Sequence, residues 1–220
     1  MQTFATTAPV TAVLNVPAGS IRIVAGDQAE TTVEVLPADA AKGRDVKAAE
    51  QTSVEYAGGV LRIQAPTGNQ YFGASGALAV TVRVPAGSDV RATTASVGLD
   101  TTGPLGDIVY EGAQGQVGIE DAASVTLTGA AGDVEIGRLG GSARITLSKG
   151  GIRIAEANAG TVELRTQDGS ISVGAAAGVS ASLDASTAYG RITNELRNDG
   201  ATRLAIRATT ATGDITARSL

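Results

Sequence analysis

The stretch Gly132-Asp133-Val134-Glu135-Ile136 returns, with changes, throughout the second half of the chain. Each copy begins with a glycine, and an isoleucine or valine follows two positions later. From Gly115 onward the copies start 17, 18, 19, 21 and 23 residues apart. The glycines that open the copies are Gly106, Gly115, Gly132, Gly150, Gly169, Gly190 and Gly213. A short apolar unit at a nearly fixed spacing indicates a repeat protein.

A second short strand lies inside each interval between these glycines. Segments such as Ile145-Thr146-Leu147 and Val162-Glu163-Leu164 alternate apolar and polar residues, which is typical of a half-buried β-strand. Two strands per repeat predict an all-β fold in which the repeats stack as the rungs of a β-solenoid. Glycine suits the corners because it adopts a positive φ without steric cost. A β-sandwich built from regular hairpins is the main alternative.

The first half of the chain also alternates with period 2, but without the glycine repeat. We therefore predict an N-terminal β-meander over residues 1–87 that continues into the solenoid repeats over residues 88–220. Gly58-Gly59 lies between two apolar segments, and paired glycines of this kind are typical of a tight hairpin turn. Residues 37–50 are the exception, since their Ala, Lys, Arg and Asp content allows a turn or two of helix.

One five-residue phrase occurs twice. Val16-Pro17-Ala18-Gly19-Ser20 returns as Val84-Pro85-Ala86-Gly87-Ser88. Each copy follows one predicted strand and precedes another, which suggests the same corner used twice. Chance is the alternative interpretation, because turns that contain Pro and Gly are common.

Composition excludes several classes of function. The chain has 220 residues, with 17 Lys and Arg against 22 Asp and Glu, and a formal net charge of -5. This balance argues against nucleic acid as a partner. Cysteine and histidine are absent, which excludes disulfides, thiol nucleophiles, imidazole bases and most zinc or copper sites. No apolar run approaches the roughly 18–20 residues of a membrane helix, so membrane insertion is not expected.

Alignment of the repeats predicts which side chains are neighbours across rungs. Stacked strands lie about 4.8 Å apart, so equivalent positions become adjacent. Three residues after the glycine, Glu135 falls beside Arg153. Six residues after it, Asp121, Arg138 and Glu156 form a column of alternating charge. We interpret these residues as a solvated charge ladder that supports the stack.

The repeated Gly-Asp-(Ile/Val) unit, the Val-Pro-Ala-Gly-Ser phrase and the closing Gly213-Asp214-Ile215-Thr216 resemble a known bacterial family. This family consists of β-strand-repeat domains of unknown function labelled "putative adhesin". The resemblance covers most of the chain. It implies an all-β repeat fold, and it brings no catalytic residue and no cofactor with it.

Three aspartates are candidates for catalytic or metal-binding groups. Asp107, Asp133 and Asp214 share the position after the repeat glycine, but alignment places Asp133 between Gln116 and Gly151, so no carboxylate pair forms. We expect such aspartates to bond their own turn backbone. The calcium repeat Gly-Gly-x-Gly-x-Asp is missing, so neither a metal nor a cofactor is expected.

Two aromatic residues form the most distinctive candidate contact for a partner. Tyr71 and Phe72 lie together in a glycine-rich segment, where an exposed pair could bind a protein or stack on a sugar. The alternative is that they close one end of the solenoid. The predicted function is accordingly a non-catalytic interaction or scaffold protein with an unknown protein or glycan partner. The alternative is a carbohydrate-active enzyme or carbohydrate-binding module that uses surface carboxylates.

The end of the stack suggests self-association. The repeat that begins at Gly213 lies within eight residues of the last residue, Leu220, and no helical or Pro-rich pattern follows it. An uncovered terminal rung exposes unpaired backbone groups, and solenoids usually need a cap. We therefore expect a homo-oligomer through the C-terminal rungs, unless the N-terminal segment covers them. With Met1 as the native start, the absence of a signal-peptide pattern predicts a cytoplasmic location, whereas a trimmed fragment would be extracellular.

Overall fold

The structure, a computed structural model, describes residues 1–66 and 76–220, and the chain is all-β. It divides into two compact units, Met1–Gly115 and Gln116–Leu220. The first unit contains β1 (Gln2–Ala5), β2 (Thr11–Gly26), β3 (Glu30–Pro37), α1 (Gly43–Gln51), β4 (Ser53–Ala57), β5 (Val60–Gln64), β6 (Leu78–Pro85) and β7 (Asp89–Gln114). The second contains β8 (Val117–Ala131), β9 (Val134–Leu139), β10 (Ala143–Lys149), β11 (Ile152–Ala157), β12 (Gly160–Asp168), β13 (Ile171–Ala175), β14 (Ala181–Tyr189), β15 (Ile192–Glu195), β16 (Leu204–Thr212) and β17 (Ile215–Ser219). The sequence-based division at residue 87 stays a prediction, and β7 belongs to the first unit.

In the first unit, β2 serves as two strands in succession. Its residues 11–15 pair in parallel with β5, and its residues 19–26 pair in parallel with β6. β7 pairs with both parts. The strands β3 and β4 pair antiparallel with β6 and β5, and β1 pairs antiparallel with β3. The predicted hairpin is the β4–β5 turn, where Gly58 and Gly59 have φ of 56° and 80°.

The helix α1 begins inside residues 37–50, the segment predicted to hold a helical turn or two, and ends one residue beyond it. Asp45 and Ala48 form its buried face. The Asp45 carboxylate accepts a hydrogen bond from the Ala77 N–H at 3.0 Å, so the buried charge has a polar partner.

The two copies of the Val-Pro-Ala-Gly-Ser phrase have different structures. The copy at residues 16–20 lies inside β2, with Gly19 at φ 123°. The copy at residues 84–88 ends β6 and forms a turn, in which the buried Ser88 hydroxyl donates to the Pro85 carbonyl at 2.6 Å. The shared phrase therefore does not mark one corner used twice.

In the second unit, alternate strands pair in parallel and form two ladders. The first ladder contains, in spatial order, residues 117–122 of β8, then β9, β11, β13, β17 and β15. The second contains residues 125–131 of β8, then β10, β12, β16 and β14. A rung is one strand of each ladder. Inward positions are filled by Val, Ile, Leu and Ala, whose burial forms the core.

The spatial order of the last rungs differs from their order in the chain. β16 lies between β12 and β14, and β17 lies between β13 and β15. The repeat that ends the chain is therefore not the last in the stack, and Ile215 is only 1% exposed. This corrects the expectation that the Gly213 repeat forms the open end: β14 and β15 occupy that position.

The repeat glycines are required by close contact between rungs as well as by φ. Gly115, Gly132, Gly150, Gly169 and Gly213 have φ between 132° and 155°. Gly106 and Gly190 do not have positive φ, so the conformational freedom of glycine does not explain these two. A Cβ on Gly190 would overlap the carbonyl of Gly213, and one on Gly150 would overlap that of Gly132. Corners thus stack with no room for a side chain.

The aspartates after the corner glycines bond to the next rung. The Gly151 N–H donates to Asp133 Oδ1 at 2.8 Å, and the Arg191 N–H donates to Asp214 Oδ1 at 2.8 Å. At the same position, the Asp214 N–H donates to Ser170 Oγ at 3.2 Å. For Asp133 and Asp214 this corrects the expectation of a bond within the aspartate's own turn, and it gives these two carboxylates a structural role.

Candidate interaction surface

The outer face of the first ladder holds the charges that were predicted from the alignment. Arg138 is in register with Asp121 on one side and Glu156 on the other. Its Nη1 lies 3.2 Å from Asp121 Oδ2. Among the ion pairs of the described residues, none joins Arg138 to Glu156.

The second predicted pair lies on the same ladder. Glu135 is directly opposite Arg153 in the register of β9 and β11. Ser172 follows Arg153, and Thr216 then follows Ser172 because β17 precedes β15 in the stack. The column thus changes from charged to hydroxyl side chains along the ladder.

Reversal of the Arg138 charge is expected to weaken the second unit. Arg138→Glu places three acids in adjacent strands, which should lower the free energy of unfolding by about 1 kcal/mol at low salt. Added salt should reduce this loss by screening. Urea unfolding at two salt concentrations measures the effect.

The matched control restores the attraction with exchanged charges. Asp121→Arg combined with Arg138→Glu should recover part of the stability that the single variant loses. Equal stability of wild type and Arg138→Glu at low salt would contradict the role assigned to this column.

The second ladder has a charge column that the sequence alignment missed. From β8 to β14, the outward residues in register are Thr126, Arg144, Glu163, Arg207 and Asp184. Glu163 accepts ion pairs from both sides: Arg144 Nη2 lies 3.0 Å from its Oε2, and Arg207 Nη1 lies 3.4 Å from its Oε1. Counting six residues back from the glycine that opens the next repeat would have placed Arg144 and Glu163 at equivalent positions.

Beside this column runs a row of hydroxyl side chains interrupted by one cation. Thr128, Thr146, Arg165, Thr209 and Ser186 follow one another in register. Arg165 is exposed. In the parts of the chain described, no ion pair occupies its guanidinium group, so it is free to contact a ligand.

Three depressions open on this face of the second ladder. One of about 160 Å³ is lined by Glu163, Arg165, Asp184, Ser186, Arg207 and Thr209. A second of about 480 Å³ includes Arg165, Thr146, Gln167 and Thr209 among its lining residues. A third of about 310 Å³ lies beside Arg144, Thr126 and Thr161. We call the outward side of the second ladder, from Thr126 to Ser186, the polar face.

Two carboxylates elsewhere have pKa values shifted by local hydrogen bonds. The Ala41 N–H, which donates at 3.0 Å, and Lys42 lower the pKa of Asp39. Ser180 and the Ala201 N–H lower the pKa of Asp199. A general acid at neutral pH needs a raised pKa, so neither group fits that role.

The family model described as Toastrack DUF4097 matches residues 13–219. The chain belongs to this family. No curated protein matches it. The family is a domain of unknown function, and its match covers both units and the polar face.

Three solved structures are similar to this Toastrack chain at low sequence identity. A "putative cell adhesion protein" from Clostridium sporogenes has 9% identity and a TM-score of 0.39, with coverage of 98% of this chain and 94% of the other. A "putative adhesin" from Bacteroides fragilis has 9% identity and a TM-score of 0.48, with coverage of 98% and 95%. Another from Parabacteroides distasonis has 16% identity and a TM-score of 0.44, also with coverage of 98% and 95%.

The aromatic pair Tyr71 and Phe72, predicted as a partner contact, lies outside the residues that the structure describes. Within residues 1–66 and 76–220, no helix is long and apolar enough to cross a membrane.

Removal of metal ions is expected to leave this Toastrack chain folded. Across the described ranges, no three acidic side chains are grouped so that they could hold a metal ion. EDTA should therefore leave the melting temperature unchanged, since no metal-linked folding energy would be lost. A fall of several degrees that calcium reverses would contradict this prediction.

Proposed function

We propose that this chain is a non-catalytic β-solenoid interaction module whose polar face binds a partner. The two parallel ladders are then two sides of one solenoid, with the repeat glycines at its corners. Tight connections such as Lys149-Gly150-Gly151-Ile152 join strands of different ladders, and close stacking of the corner glycines supports this arrangement.

The observation that carries the proposal is a difference between the arginines of the polar face, since two of them are paired with Glu163 and Arg165 is not. Arg144 and Arg207 each form an ion pair with Glu163, whose side chain is only 25% exposed. Such pairing restrains the Glu163 carboxylate from both sides. Arg165 instead stands free among threonine and serine hydroxyls, and it lines two of the depressions. A surface on which one guanidinium group is unpaired, beside charges that are already paired, suits recognition of a polar partner.

The experiment compares three forms of the protein as bait in extracts of the source cell. Arg165→Glu alters the polar face, whereas Arg153→Glu makes the same change on the first ladder. Captured proteins are identified by mass spectrometry. A partner that binds wild type and Arg153→Glu, and is lost with Arg165→Glu, supports the proposal. An identical set for all three forms would contradict it.

A second candidate is binding of a carbohydrate, which the smallest depression favours. Its lining combines two carboxylates, two guanidinium groups and two hydroxyls. These are the polar groups that hydrogen-bond neighbouring hydroxyls of a sugar. A glycan array probed with wild type, Arg165→Ala and Asp184→Ala tests this candidate. Binding that both variants lose, without release of reducing ends, would favour a carbohydrate-binding module over an enzyme.

A further inference from the structure

We propose that a second copy of this chain docks on the edge formed by β14 and β15. This surface lies on the last rung of the second unit. It shares β14 with the polar face, which includes Asp184 and Ser186 of that strand. Its proposed contact residues, 189–195, lie outside that face, so the two proposals can fail separately.

The edge leaves backbone hydrogen-bonding groups open on one side. β14 pairs with β16 over Ala181–Tyr189, and β15 pairs with β17 over Ile192–Glu195. At the start of β14, the Ala181 N–H already donates to the Arg197 carbonyl at 2.9 Å. Beyond that residue, in the parts of the chain that the structure describes, no strand pairs with the other side of β14 or β15. Open strand edges of this kind are templates for pairing with another chain.

One apolar side chain on this edge is exposed although its column is buried in other rungs. Ile192 is 44% exposed, whereas Ile215 and Ile171, in the same column, are each 1% exposed. Tyr189, at the end of β14, is 77% exposed. A tyrosine and an isoleucine close together on an open edge supply the anchors of a contact between proteins.

The edge also lacks the usual protection against pairing. Natural edge strands carry lysine or proline, or a bulge. In β14, Asp184 is the one charged residue among nine, and the strand has no proline or lysine. The pairing of β14 with β16 runs without a register shift from Ala181 to Thr187, so the strand remains regular enough to accept a neighbour.

Two charges, Arg191 directly before β15 and Glu195 at its end, favour a second copy over an unrelated strand. If two β15 strands pair antiparallel about Thr193, Arg191 of each copy lies opposite Glu195 of the other. Both side chains are exposed, and they share one side of the strand because they are four residues apart. A two-fold contact repeats the attraction twice, as in other self-complementary interfaces.

Exchange of these two charges tests the proposal. Wild type should form a dimer by sedimentation velocity over a wide concentration range. Arg191→Glu or Glu195→Arg places like charges opposite each other, and each should raise the dissociation constant by roughly tenfold or more. The double variant restores both pairs, so it should associate like wild type.

Two measurements separate loss of association from other effects. Far-UV circular dichroism checks that each single variant is folded, and Arg165→Glu serves as a charge reversal away from the edge that should leave the dimer intact. A wild type that stays monomeric would overturn the proposal. The edge would then be open to a strand of another protein and not to a second copy. Single variants that associate like wild type, or a double variant that does not recover, would also overturn it.

Discussion

Ile206→Asp is expected to unfold the second unit, whereas Leu183→Asp should weaken it far less. Ile206 is 1% exposed and lies between Val162 and Leu183 in the register of the second ladder. The substitution removes the buried isoleucine side chain and places a charge without a partner in the core. It should lower the free energy of unfolding by about 4 kcal/mol or more. Leu183 is half-buried on the open edge, where water reaches the new charge.

This comparison discriminates between the two possible orders of the last rungs. If the rungs stacked in chain order, β16 would be the edge, and Ile206→Asp would be the milder change. Thr209→Asp is the matched control, because it introduces the same charge on the outer side of the same strand. Urea unfolding of the three variants, followed by far-UV circular dichroism, measures the differences. Equal losses for Ile206→Asp and Leu183→Asp would contradict the observed order.

Hydrogen exchange gives an independent reading of the same order. Amides of β16 and β17 lie inside the stack despite their position near the end of the chain, so they should exchange more slowly than those of β14 and β15. Faster exchange in β16 than in β14 would show that β16 is the edge.

Gly150→Ala is expected to lower the free energy of unfolding by about 3 kcal/mol or more. Gly150 has φ of 132°, which side chains rarely adopt, and its new Cβ would overlap the backbone carbonyl of Gly132. Backbone on both sides is held by the ladders, so neither rung can move away cheaply. Thermal and urea unfolding measure the loss.

Two other glycines separate the causes of this loss. At Gly140, which does not have positive φ, the nearest atom to a new Cβ is 3.6 Å away, so Gly140→Ala should change stability by less than about 0.5 kcal/mol. Gly178 has φ of 77° and nothing within 4 Å, so Gly178→Ala should show backbone strain alone, about 1–2 kcal/mol. If Gly150→Ala lowers the free energy of unfolding no more than Gly178→Ala does, the close contact between corners does not contribute to the loss.

The sequence by itself determined the repeat, its strands and much of the first ladder. The period-2 alternation predicts strands because inward and outward side chains must differ when one face is buried. Counting six residues from each repeat glycine is sufficient to place Arg138 between Asp121 and Glu156, since stacked repeats bring equivalent positions together. Local patterning and spacing carry this information without any knowledge of distant contacts.

The position of the last two rungs was decided by tertiary structure. β15 and β17 both begin with Ile-Thr, so either could follow β13. Burial distinguishes them: Asn194 occupies the inward column of Val173 and Ala217, which are 2% and 1% exposed. An amide side chain buried there would lack hydrogen-bond partners, but at the edge it remains in water. The sequence shows a polar residue at Asn194, but only the register shows that this position belongs to an inward column.

Charge gives the second physical reason for that order. In chain order, β14 would follow β12, and Glu163 would face Asp184 with like charges on adjacent strands. Insertion of β16 places Arg207 between the two acids, and its guanidinium group binds Glu163. Strand pattern and period are properties of short segments, which the sequence displays directly. The choice of a neighbouring strand depends instead on burial and charge at residues far apart in the sequence, such as Glu163 and Arg207, which are 44 positions apart. Only the folded structure brings such groups together.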